Sequence, residues 1–489
     1  MPTDMSLKPF ALSPVLVWFR RDLRVGDNPS LTAADLSGQP IIPVYIHDDE
    51  NPEGGAAHWW LHHSLKALGT DLGRLGSPII FRMGETSAVL EKLAAETGAD
   101  TLYFNRIPTP REAVREARIV SRLQSLGVSV HSHETGLLFP PGRIRTKDGN
   151  NFKVFTAFWK TCTTFPDPSP PTPAPNVLKG WATPVSTVGL DALGLLPSGV
   201  DWTGGLHETW MPGEADAQRR LTEFVEDGVI GHYDSDRDRP DREGTSRLSP
   251  HLAFGEISIR TVWHTVRSMG EPGNGMTRFL TELGWREFCY DLLWHNPGMM
   301  LRPLRSEFAN FPWKGDKAAY NAWCKGLTGY PIVDAGMRQL WRTGWMHNRV
   351  RMITASFLVK HLLCPWQDGE RWFRDTLVDA DPASNAAGWQ WVAGSGTDAA
   401  PFFRIFNPIL QGERFDPDGH YVRQYVPELA GLPTRWIHQP WNAPPLELAA
   451  AGVCLGKNYP HPIVDHGRAR ANALEAFKMI SNVRGGDLA

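Results

Sequence analysis

The chain has 489 residues, an apolar content of 42% and a formal net charge of −3 at pH 7. A chain of this length exceeds what one hydrophobic core normally organises, so two or three domains are expected. The near-neutral charge argues against nucleic-acid binding by the chain as a whole. A local basic patch could still bind phosphates, because salt confines each charge's field to its surroundings.

The five cysteines are scattered, odd in number and without a CxxC pair. This pattern argues against a disulfide framework, a zinc site or an iron–sulfur cluster, and no metal site is predicted. It fits a reducing compartment, so a cytoplasmic location is expected. No apolar run reaches the length of a membrane span, and residues 1–12 lack the pattern of a secretory signal. The cysteines are Cys162, Cys289, Cys324, Cys364 and Cys454.

Residues 1–135 alternate short apolar runs with helical patterns, for example at 88–97 and 111–126. This alternation predicts an α/β domain with a doubly wound parallel sheet, whose ligand crevice lies beyond the carboxyl ends of the strands. No GxGxxG follows the first strand, so a dinucleotide-binding domain of the NAD type is not supported. The five predicted strands span residues 15–19, 41–46, 78–82, 101–105 and 128–131.

Residues 136–205 form a predicted connector that is rich in proline. In the segment 165–175 the repeated prolines fix φ and lack a backbone donor, which excludes a helix or a central strand. We therefore expect a semi-rigid strap between two domains.

From residue 206 to 489 the apolar periodicity is helical, and a large all-α domain is predicted. Fifteen of the 20 tryptophans lie at or after Trp202, so this domain carries most of the aromatic side chains. The predicted helical segments span residues 215–227, 259–268, 276–295, 336–363 and 369–377.

Three places in this domain carry polar side chains that suit a ligand site. Asn348, Arg351 and Met352 share one face of a helix, which indicates either a pocket wall or a boundary face with a solvated arginine. Residues 244–250 could bind an anion at a helix N-terminus or serve as an ordinary cap. Glu282 and Trp285, three residues apart, could contact a base edge and stack on it, or be a surface acid and a core indole.

The longer motifs resemble the cryptochrome/photolyase family, and within it the branch of cyclobutane-pyrimidine-dimer DNA photolyases. The resemblance covers nearly the whole chain, and the last three motifs are its most specific part. The motifs span residues 18–24 (WFRRDLR), 153–156 (KVFT), 244–249 (GTSRLS), 282–288 (ELGWREF), 329–334 (GYPIVD), 345–349 (WMHNR) and 388–391 (GWQW).

The resemblance implies an α/β domain with an antenna chromophore and an all-α domain that binds a U-shaped FAD. It places Arg351 and Asp379 as a pair beside the isoalloxazine, Asp381 at the ring edge and Asn385 opposite N5. A neutral amide there tolerates a reduced, anionic flavin better than a carboxylate would. The remaining expected FAD ligands, at the phosphates and ribityl chain for the most part, are Tyr233, Thr245, Ser246, Arg247, Leu248, Ser249 and Arg286.

The resemblance also implies that the partner is ultraviolet-damaged DNA, whose dimer is flipped out of the duplex into a pocket. Glu282, Asn348 and Met352 are the expected pocket walls, with Trp285 and Trp391 as an aromatic wedge. The expected phosphate contacts are Arg237, Arg349 and Arg404.

Three tryptophans match the family's electron-transfer chain, which runs from the flavin to the surface and serves photoreduction of oxidised FAD. They are Trp389, Trp366 and Trp313. Considered one at a time, each of them could equally be a packing indole.

Four features favour dimer repair over the other branches of the family. The 6-4 photolyases carry histidine where this chain has Asn348 and Met352, DASH-type proteins tend to lose the Trp285 and Trp391 wedge, and plant cryptochromes usually carry aspartate at the position of Asn385. Signalling members often add a long tail after the last shared motif. A photosensory cryptochrome that uses FAD without repair is the alternative function.

The class and the antenna stay open at this stage. The sequence is compatible with a class I or a class III enzyme. Glu112 stands where folate-binding members carry an acidic residue for the pterin, so methenyltetrahydrofolate is the expected antenna. A deazaflavin, a second flavin or no antenna are the alternatives, and a monomer is expected.

Overall fold

The computed structural model describes residues 13–48, 54–270 and 273–481. Residues 1–12, where no secretory signal is predicted, lie outside the described part, as do the last eight residues of the predicted all-α domain. Within the described part, no helix combines the length and the apolar content needed to cross a membrane.

The N-terminal region is built on a five-stranded parallel sheet, as predicted, with strand order β3-β2-β1-β4-β5. All five side chains of β1 are buried, because a central parallel strand is covered by helices on both faces. The strands are β1 (Val15–Phe19), β2 (Ile41–His47), β3 (Ile80–Met83), β4 (Thr101–Arg106) and β5 (Ser129–Glu134). The helices between them are α1 (Pro29–Leu36), α2 (Gly55–Arg74), α3 (Thr86–Thr97) and α4 (Pro110–Ser125).

The edge strands differ most from their predicted bounds. β5 runs three residues past its predicted end and most of its side chains are exposed, while β3 begins two residues late. An edge strand has one neighbour and one open side, so its extent depends less on an apolar run than on pairing with that neighbour. β5 pairs with β4 from Ser129 to Glu134.

The strand order reverses between β1 and β4, which pair with each other. From β1 the sheet continues to the edge at β3, and from β4 it continues to the edge at β5. In a doubly wound sheet this reversal opens a crevice beyond the carboxyl ends of the two strands. Here the crevice lies beyond Phe19 and Arg106 and faces the helical domain.

The connector contains one α-helix, α5 (Phe155–Cys162), and a short 3-10 turn at Leu190–Leu193. Residues 165–175 form no regular element, which confirms the prediction from their prolines. The strap then returns to the sheet, where Ile41 N donates to Lys179 O at 2.7 Å.

The helical region follows from Gly204 to Ser481 and has its main core around the helices after residue 317. Its helices are α6 (Gly204–Thr209), α7 (Glu214–Glu226), α8 (Tyr233–Asp236), α9 (Ser249–Phe254), α10 (Ile259–Arg267), α11 (Asn274–His295), α12 (Lys317–Cys324), α13 (Pro331–Thr343), α14 (Asn348–Ser356), α15 (Trp366–Thr376), α16 (Pro382–Ala393), α17 (Pro408–Phe415), α18 (His420–Tyr425), α19 (Pro445–Ala450) and α20 (His466–Ser481).

The prediction of one helical segment over residues 336–363 is wrong. α13 ends at Thr343 because Gly344 takes a left-handed conformation with φ of 66°, which glycine adopts without a Cβ clash. α14 then starts at Asn348, where the His347 ring accepts from Arg349 N at 3.2 Å. The apolar pattern runs across the break because both helices bury side chains in the same core. α14 is followed by a π-helical turn at Phe357–His361.

Glu287 on α11 joins the connector to the helical domain. Its carboxylate is 2% exposed and accepts from Leu138 N at 3.0 Å and Phe139 N at 3.1 Å. Burial raises the pKa of this carboxyl to about 7, because the low-polarity surroundings disfavour its charged form.

We predict that Glu287→Gln changes the pH dependence of stability. A carboxyl whose pKa is higher in the folded state binds its proton more tightly there, so its contribution to stability is complete below pH 4.5 and falls as pH rises through 7. The glutamine variant lacks this loss. Its free energy of unfolding, measured by urea titration, should gain on the wild type by roughly 2–3 kcal/mol between pH 4.5 and 8. A constant difference over this range would contradict the account.

Candidate active site

Four side chains expected to hold a flavin come together around a cavity of about 170 Å³, here called the inner cavity. It lies between α14 and α16 and is closed on one side by the end of α15. Its polar lining is Asn348, Arg351, Asp379, Asp381, Ser384 and Asn385, and its apolar lining includes Met352, Phe373, Leu377, Val392 and Trp389.

Arg351 and Asp379 form the predicted ion pair, which the structure confirms. One guanidinium nitrogen of Arg351 lies 3.1 and 2.8 Å from the two carboxylate oxygens of Asp379. Arg351 Nε donates to Met346 O at 2.7 Å, so the guanidinium is held from two directions. The Asp379 side chain is 2% exposed and that of Arg351 is 24% exposed, which makes this a largely desolvated pair.

Asp381 begins α16 and also faces the inner cavity. One carboxylate oxygen accepts from Ser384 N at 2.7 Å and caps the helix, and the other accepts from Tyr290 OH at 2.5 Å. Burial and the Asp381 carboxylate raise the pKa of Tyr290, so this phenol stays a hydrogen-bond donor. Two lone pairs of the carboxylate thus have partners, and the others can accept from a ligand.

Asn385 lies one turn into α16, and its orientation is set by a residue that the sequence analysis missed. Its Nδ2 donates to Glu370 O at 3.2 Å and to Glu370 Oε1 at 3.0 Å. Because the amide nitrogen is used in this way, its oxygen is free to face the cavity. Burial raises the pKa of Glu370, which is 4% exposed. No sequence signal marked Glu370, since the contact spans 15 residues and two helices.

The loop expected to bind the FAD phosphates, residues 244–249, lies beside Trp345. Trp345 precedes the first residue of α14 by three positions. Trp345 Nε1 is 3.3 Å from Ser249 Oγ, and the Arg247 guanidinium is 5.2 Å from the centre of the Trp345 ring. Arg247 has a φ of 50°, a strained value for a residue with a side chain, and its Nε is buried without a partner. Strain and an unpaired donor in one residue are typical of a ligand-binding loop.

The other expected FAD ligands occupy less direct positions. Leu248 is buried at the start of α9, and Thr245 and Ser246 lie in the preceding turn. Tyr233 packs against Phe224 and Phe279, outside the lining of the inner cavity.

A second cavity, of about 600 Å³, opens between the sheet crevice and the helical domain and is here called the interdomain cavity. Arg286, Asp381 and Asn385 line it on the helical side, and Asn105 at the end of β4 and Glu112 on α4 line it on the sheet side. It shares Asp381 and Asn385 with the inner cavity, so the two spaces adjoin. Arg286 donates to Gly136 O at 2.6 Å.

Glu112, the expected antenna ligand, already has two cationic partners. Its Oε2 lies 3.3 Å from Arg20 and 3.5 Å from Arg115, and the side chain is 8% exposed. The carboxylate therefore borders the interdomain cavity as part of an ion cluster.

The five residues predicted to contact a lesion meet in a third cavity, of about 320 Å³, here called the outer cavity. Asn348 and Met352 also line the inner cavity, so one face of α14 forms a wall common to both. The first turn of α14 thus separates two pockets. The five residues are Glu282, Trp285, Asn348, Met352 and Trp391.

Arginines surround the mouth of the outer cavity, but each has an acidic partner. Arg237 forms an ion pair with Glu282, and Arg278, which the sequence analysis did not select, lies 3.3 Å from the same carboxylate. Arg349 pairs with Asp238 at 2.7 Å. Arg278 was detectable in principle, because it stands one helical turn before Glu282.

Arg404, the third expected phosphate contact, does not line the outer cavity. It is exposed in the segment that follows α16, and its backbone oxygen accepts from Lys360 Nζ at 3.0 Å.

Two of the three tryptophans of the expected electron path are buried, and the third is half-buried. Trp389 lines the inner cavity and is 2% exposed, Trp366 is 1% exposed, and Trp313 is half-buried at the edge of the same core. Gly369 makes room for the first of them, since a Cβ there would lie 2.1 Å from the Trp389 ring.

Comparison with known proteins explains this arrangement. The family model for the FAD binding domain of DNA photolyase matches residues 279–479, and the DNA photolyase model matches residues 15–176. A deoxyribodipyrimidine photo-lyase of Agrobacterium fabrum is 49% identical over 97% of this chain and 99% of its own length. This chain belongs to the photolyase/cryptochrome family.

Two further members of the family, one photolyase and one cryptochrome, are similar to this chain over most of its length. The crystal structure of a bacterial class III photolyase from Agrobacterium tumefaciens is 48% identical and matches with a TM-score of 0.95, covering 99% of this chain and all of that one. Cryptochrome-1 of Arabidopsis thaliana is 40% identical over 95% of this chain and 70% of its own length.

The residues of this photolyase/cryptochrome member fit FAD. The inner cavity offers an ion pair, a carboxylate and an amide around a space with apolar walls, which is what a planar ring with polar edges needs. Arg247 Nε and Trp389 Nε1 are buried donors without protein partners, one in the expected phosphate loop and one on the cavity wall.

We predict that Asp379→Asn weakens both folding and flavin retention. The change replaces the carboxylate by a neutral amide and leaves the Arg351 charge without an anionic partner, so the free energy of unfolding should fall by about 1–3 kcal/mol. The ratio of flavin to protein absorbance after gel filtration should fall with it.

Glu428→Gln is the matched control, because Glu428 pairs with Arg338 at 2.7 Å outside the inner cavity. It should lose less stability and keep its flavin. Equal flavin loss in the two variants would contradict the role of Asp379.

Proposed function

We propose that this protein is a deoxyribodipyrimidine photolyase that uses light to split cyclobutane pyrimidine dimers in DNA. The observation that carries the proposal is the common wall of the inner and outer cavities, formed by Asn348 and Met352 of α14 together with Ser384, Gly388 and Val392 of α16. A flavin in one cavity and a flipped-out dimer in the other would be separated by one layer of side chains. When bound and reduced, FAD supplies the light-excited electron for this reaction.

The residues of the inner cavity hold the flavin and balance its charge. The Arg351–Asp379 pair would hold the ring, and the remaining lone pairs of Asp381 would accept from donors on its edge. Asn385, fixed by Glu370, would present a neutral amide oxygen to the ring and could accept from an N–H of the reduced flavin. A carboxylate at this position would repel a reduced, anionic flavin.

The residues of the outer cavity hold the dimer. Glu282 offers a carboxylate that Arg237 and Arg278 orient, and the Asn348 amide can both donate and accept at the pyrimidine edges. Trp285 and Trp391 provide aromatic faces for a ligand that has left the base stack. Extrusion costs less at a damaged site, because its bases are already poorly stacked and paired.

The arginines at the mouth favour DNA over a small molecule as the partner. Arg349 can exchange its acidic partner Asp238 for phosphate oxygens, and Arg237 has further guanidinium donors for a phosphate beyond its pair with Glu282. Their charge is local, which explains how DNA binding coexists with a net charge of −3. Arg404 contributes from the exposed segment beyond α16.

A photosensory cryptochrome is the second candidate, since Arabidopsis cryptochrome-1 is 40% identical to this chain. That function needs the inner cavity and the electron path but has no use for a dimer pocket. The complete set of Glu282, Trp285, Asn348, Met352 and Trp391 in the outer cavity therefore favours repair.

Four finer assignments complete the proposal. The protein is a class III photolyase, supported by 48% identity to the Agrobacterium tumefaciens enzyme. Its antenna is methenyltetrahydrofolate, supported by the size of the interdomain cavity and the position of Glu112 on its wall. It acts in the cytoplasm, supported by five unpaired cysteines. It acts as a monomer, supported by the fact that all five residues expected to contact the pyrimidine dimer come from one copy of the chain.

Repair itself is tested by illuminating the reduced, FAD-loaded protein with DNA that contains thymine dimers. Dimer content should fall in blue light and stay constant in the dark. Unchanged dimer content in the light, with flavin bound and reduced, would contradict the proposal. Light-dependent oligomerisation without repair would support the cryptochrome alternative.

We predict that Trp366→Phe separates photoreduction from repair. Trp366 is buried in the same core as Trp389, and Trp313 packs against that core, so a path through Trp366 predicts that its loss slows photoreduction of oxidised FAD at least tenfold. Repair by chemically reduced enzyme should stay within twofold of the wild type, because that reaction does not use the chain. Both rates are followed by flavin absorbance and dimer content.

Trp263→Phe is the control, since Trp263 is a buried indole that packs with Trp159 in another core. It should leave both rates unchanged. Loss of repair in the Trp366 variant equal to its loss of photoreduction would contradict the electron-path role.

A further inference from the structure

The Trp285 indole in the outer cavity has one face covered by another ring. The ring of Phe155 lies 3.7 Å from that of Trp285, centre to centre, with 10° between their planes. Phe155 belongs to α5 in the connector, not to the helical domain that supplies the other outer-cavity residues. A pyrimidine can therefore stack only on the opposite face of the indole or meet its edge.

The close approach of the connector to α11 depends on small and aromatic residues at matched positions. A Cβ at Gly284, next to Trp285, would lie 2.5 Å from the ring of Trp159, so a glycine is what lets α5 pack there. Phe155 is 7% exposed and also meets Phe288 edge-on at 5.9 Å. The Phe155 ring is thus fixed by packing from α11 itself.

A residue on the wall of the outer cavity holds the start of α5 in place. Phe155 N donates to Asp398 Oδ2 at 2.8 Å, and the preceding Val154 offers no side-chain cap. Asp398 follows α16 and lines the outer cavity. The cavity wall, the first turn of α5 and the Trp285 indole are therefore joined by direct contacts.

We propose that Phe155 is a positioning residue for lesion recognition, which fixes the plane of Trp285 so that one indole face is ready to stack on the flipped-out pyrimidine. The inference rests on the proposed repair function. A ring that is already held loses less conformational freedom when the lesion binds than a ring that must be ordered at that moment. The effect is specific to the lesion, because undamaged DNA is held through its phosphates and does not reach the indole.

The test compares Phe155→Leu with Phe158→Leu in the FAD-loaded, chemically reduced protein. Phe158 lies on the same helix, is 2% exposed and packs against Phe288 and Phe152, so it controls for lost core packing. Dissociation constants are measured in the dark, by fluorescence anisotropy, for a duplex with one thymine dimer and for the same duplex undamaged.

Phe155→Leu should weaken binding to the dimer duplex about threefold to tenfold, the cost of ordering one side chain on binding. Binding to the undamaged duplex should not change, and Phe158→Leu should keep the wild-type ratio of the two constants. Phe155→Tyr retains the stacked ring and should restore that ratio. Repair per absorbed photon at saturating dimer duplex should be unchanged in Phe155→Leu, because the flavin and the common wall are intact.

A pair of Asp398 variants tests the same inference without altering either ring. Asp398→Asn and Asp398→Ala remove the same charge, but only asparagine keeps an oxygen that can accept from Phe155 N. The ratio of undamaged to damaged dissociation constants should be lower in the alanine variant than in the asparagine variant. If Phe155→Leu fails to retain FAD, this comparison of the two Asp398 variants tests the positioning role of Phe155 in its place.

The inference is overturned if Phe155→Leu and Phe158→Leu lower the ratio equally, if both duplexes lose affinity in proportion, or if the two Asp398 variants share one ratio. Binding and repair by the wild-type protein distinguish this outcome from failure of the proposed function. A wild-type protein that does not prefer the dimer duplex, or does not repair it in light, would contradict the repair function itself.

Discussion

The arrangement of the two pockets depends on one geometric constraint, namely that Asn348 and Met352 lie on one turn of α14 and line both cavities. Gly344 and His347 create this constraint by ending α13 and starting α14 at Asn348. A continuous helix through this region would place Asn348, Arg351 and Met352 in the middle of a long apolar element. The break instead puts them at a helix start, where the chain has turned towards both pockets.

Around that wall, charge is distributed according to what each pocket must hold. The inner cavity keeps its charges paired and desolvated, as in the Arg351–Asp379 contact, and adds a neutral amide at Asn385. The outer cavity also keeps its arginines paired, and Arg349 can exchange the carboxylate of Asp238 for a phosphate, which replaces one anionic partner by another.

Much of the architecture was predictable from the sequence, because burial on both faces produces the continuous apolar strands seen in β1 and β2. The co-location of Glu282, Trp285, Asn348, Met352 and Trp391 followed from the family resemblance. The roles of these residues, of the FAD ligands and of the electron path stay predictions.

What escaped prediction depends on contacts between distant segments. Glu370 holds Asn385 across two helices, and Phe155 covers Trp285 from the connector. Neither contact leaves a local pattern, since each partner alone resembles an ordinary buried residue. The helix break was missed because the apolar pattern continues through it, although Gly344 marked a possible end.

The most direct test of the common wall is the fluorescence lifetime of the reduced, bound flavin. If the dimer occupies the outer cavity, electron transfer across Asn348 and Met352 competes with emission, and a saturating dimer duplex should shorten the lifetime. The same duplex without a dimer should leave the lifetime unchanged. A lifetime that does not respond to the dimer duplex, under conditions where binding is complete, would contradict the account.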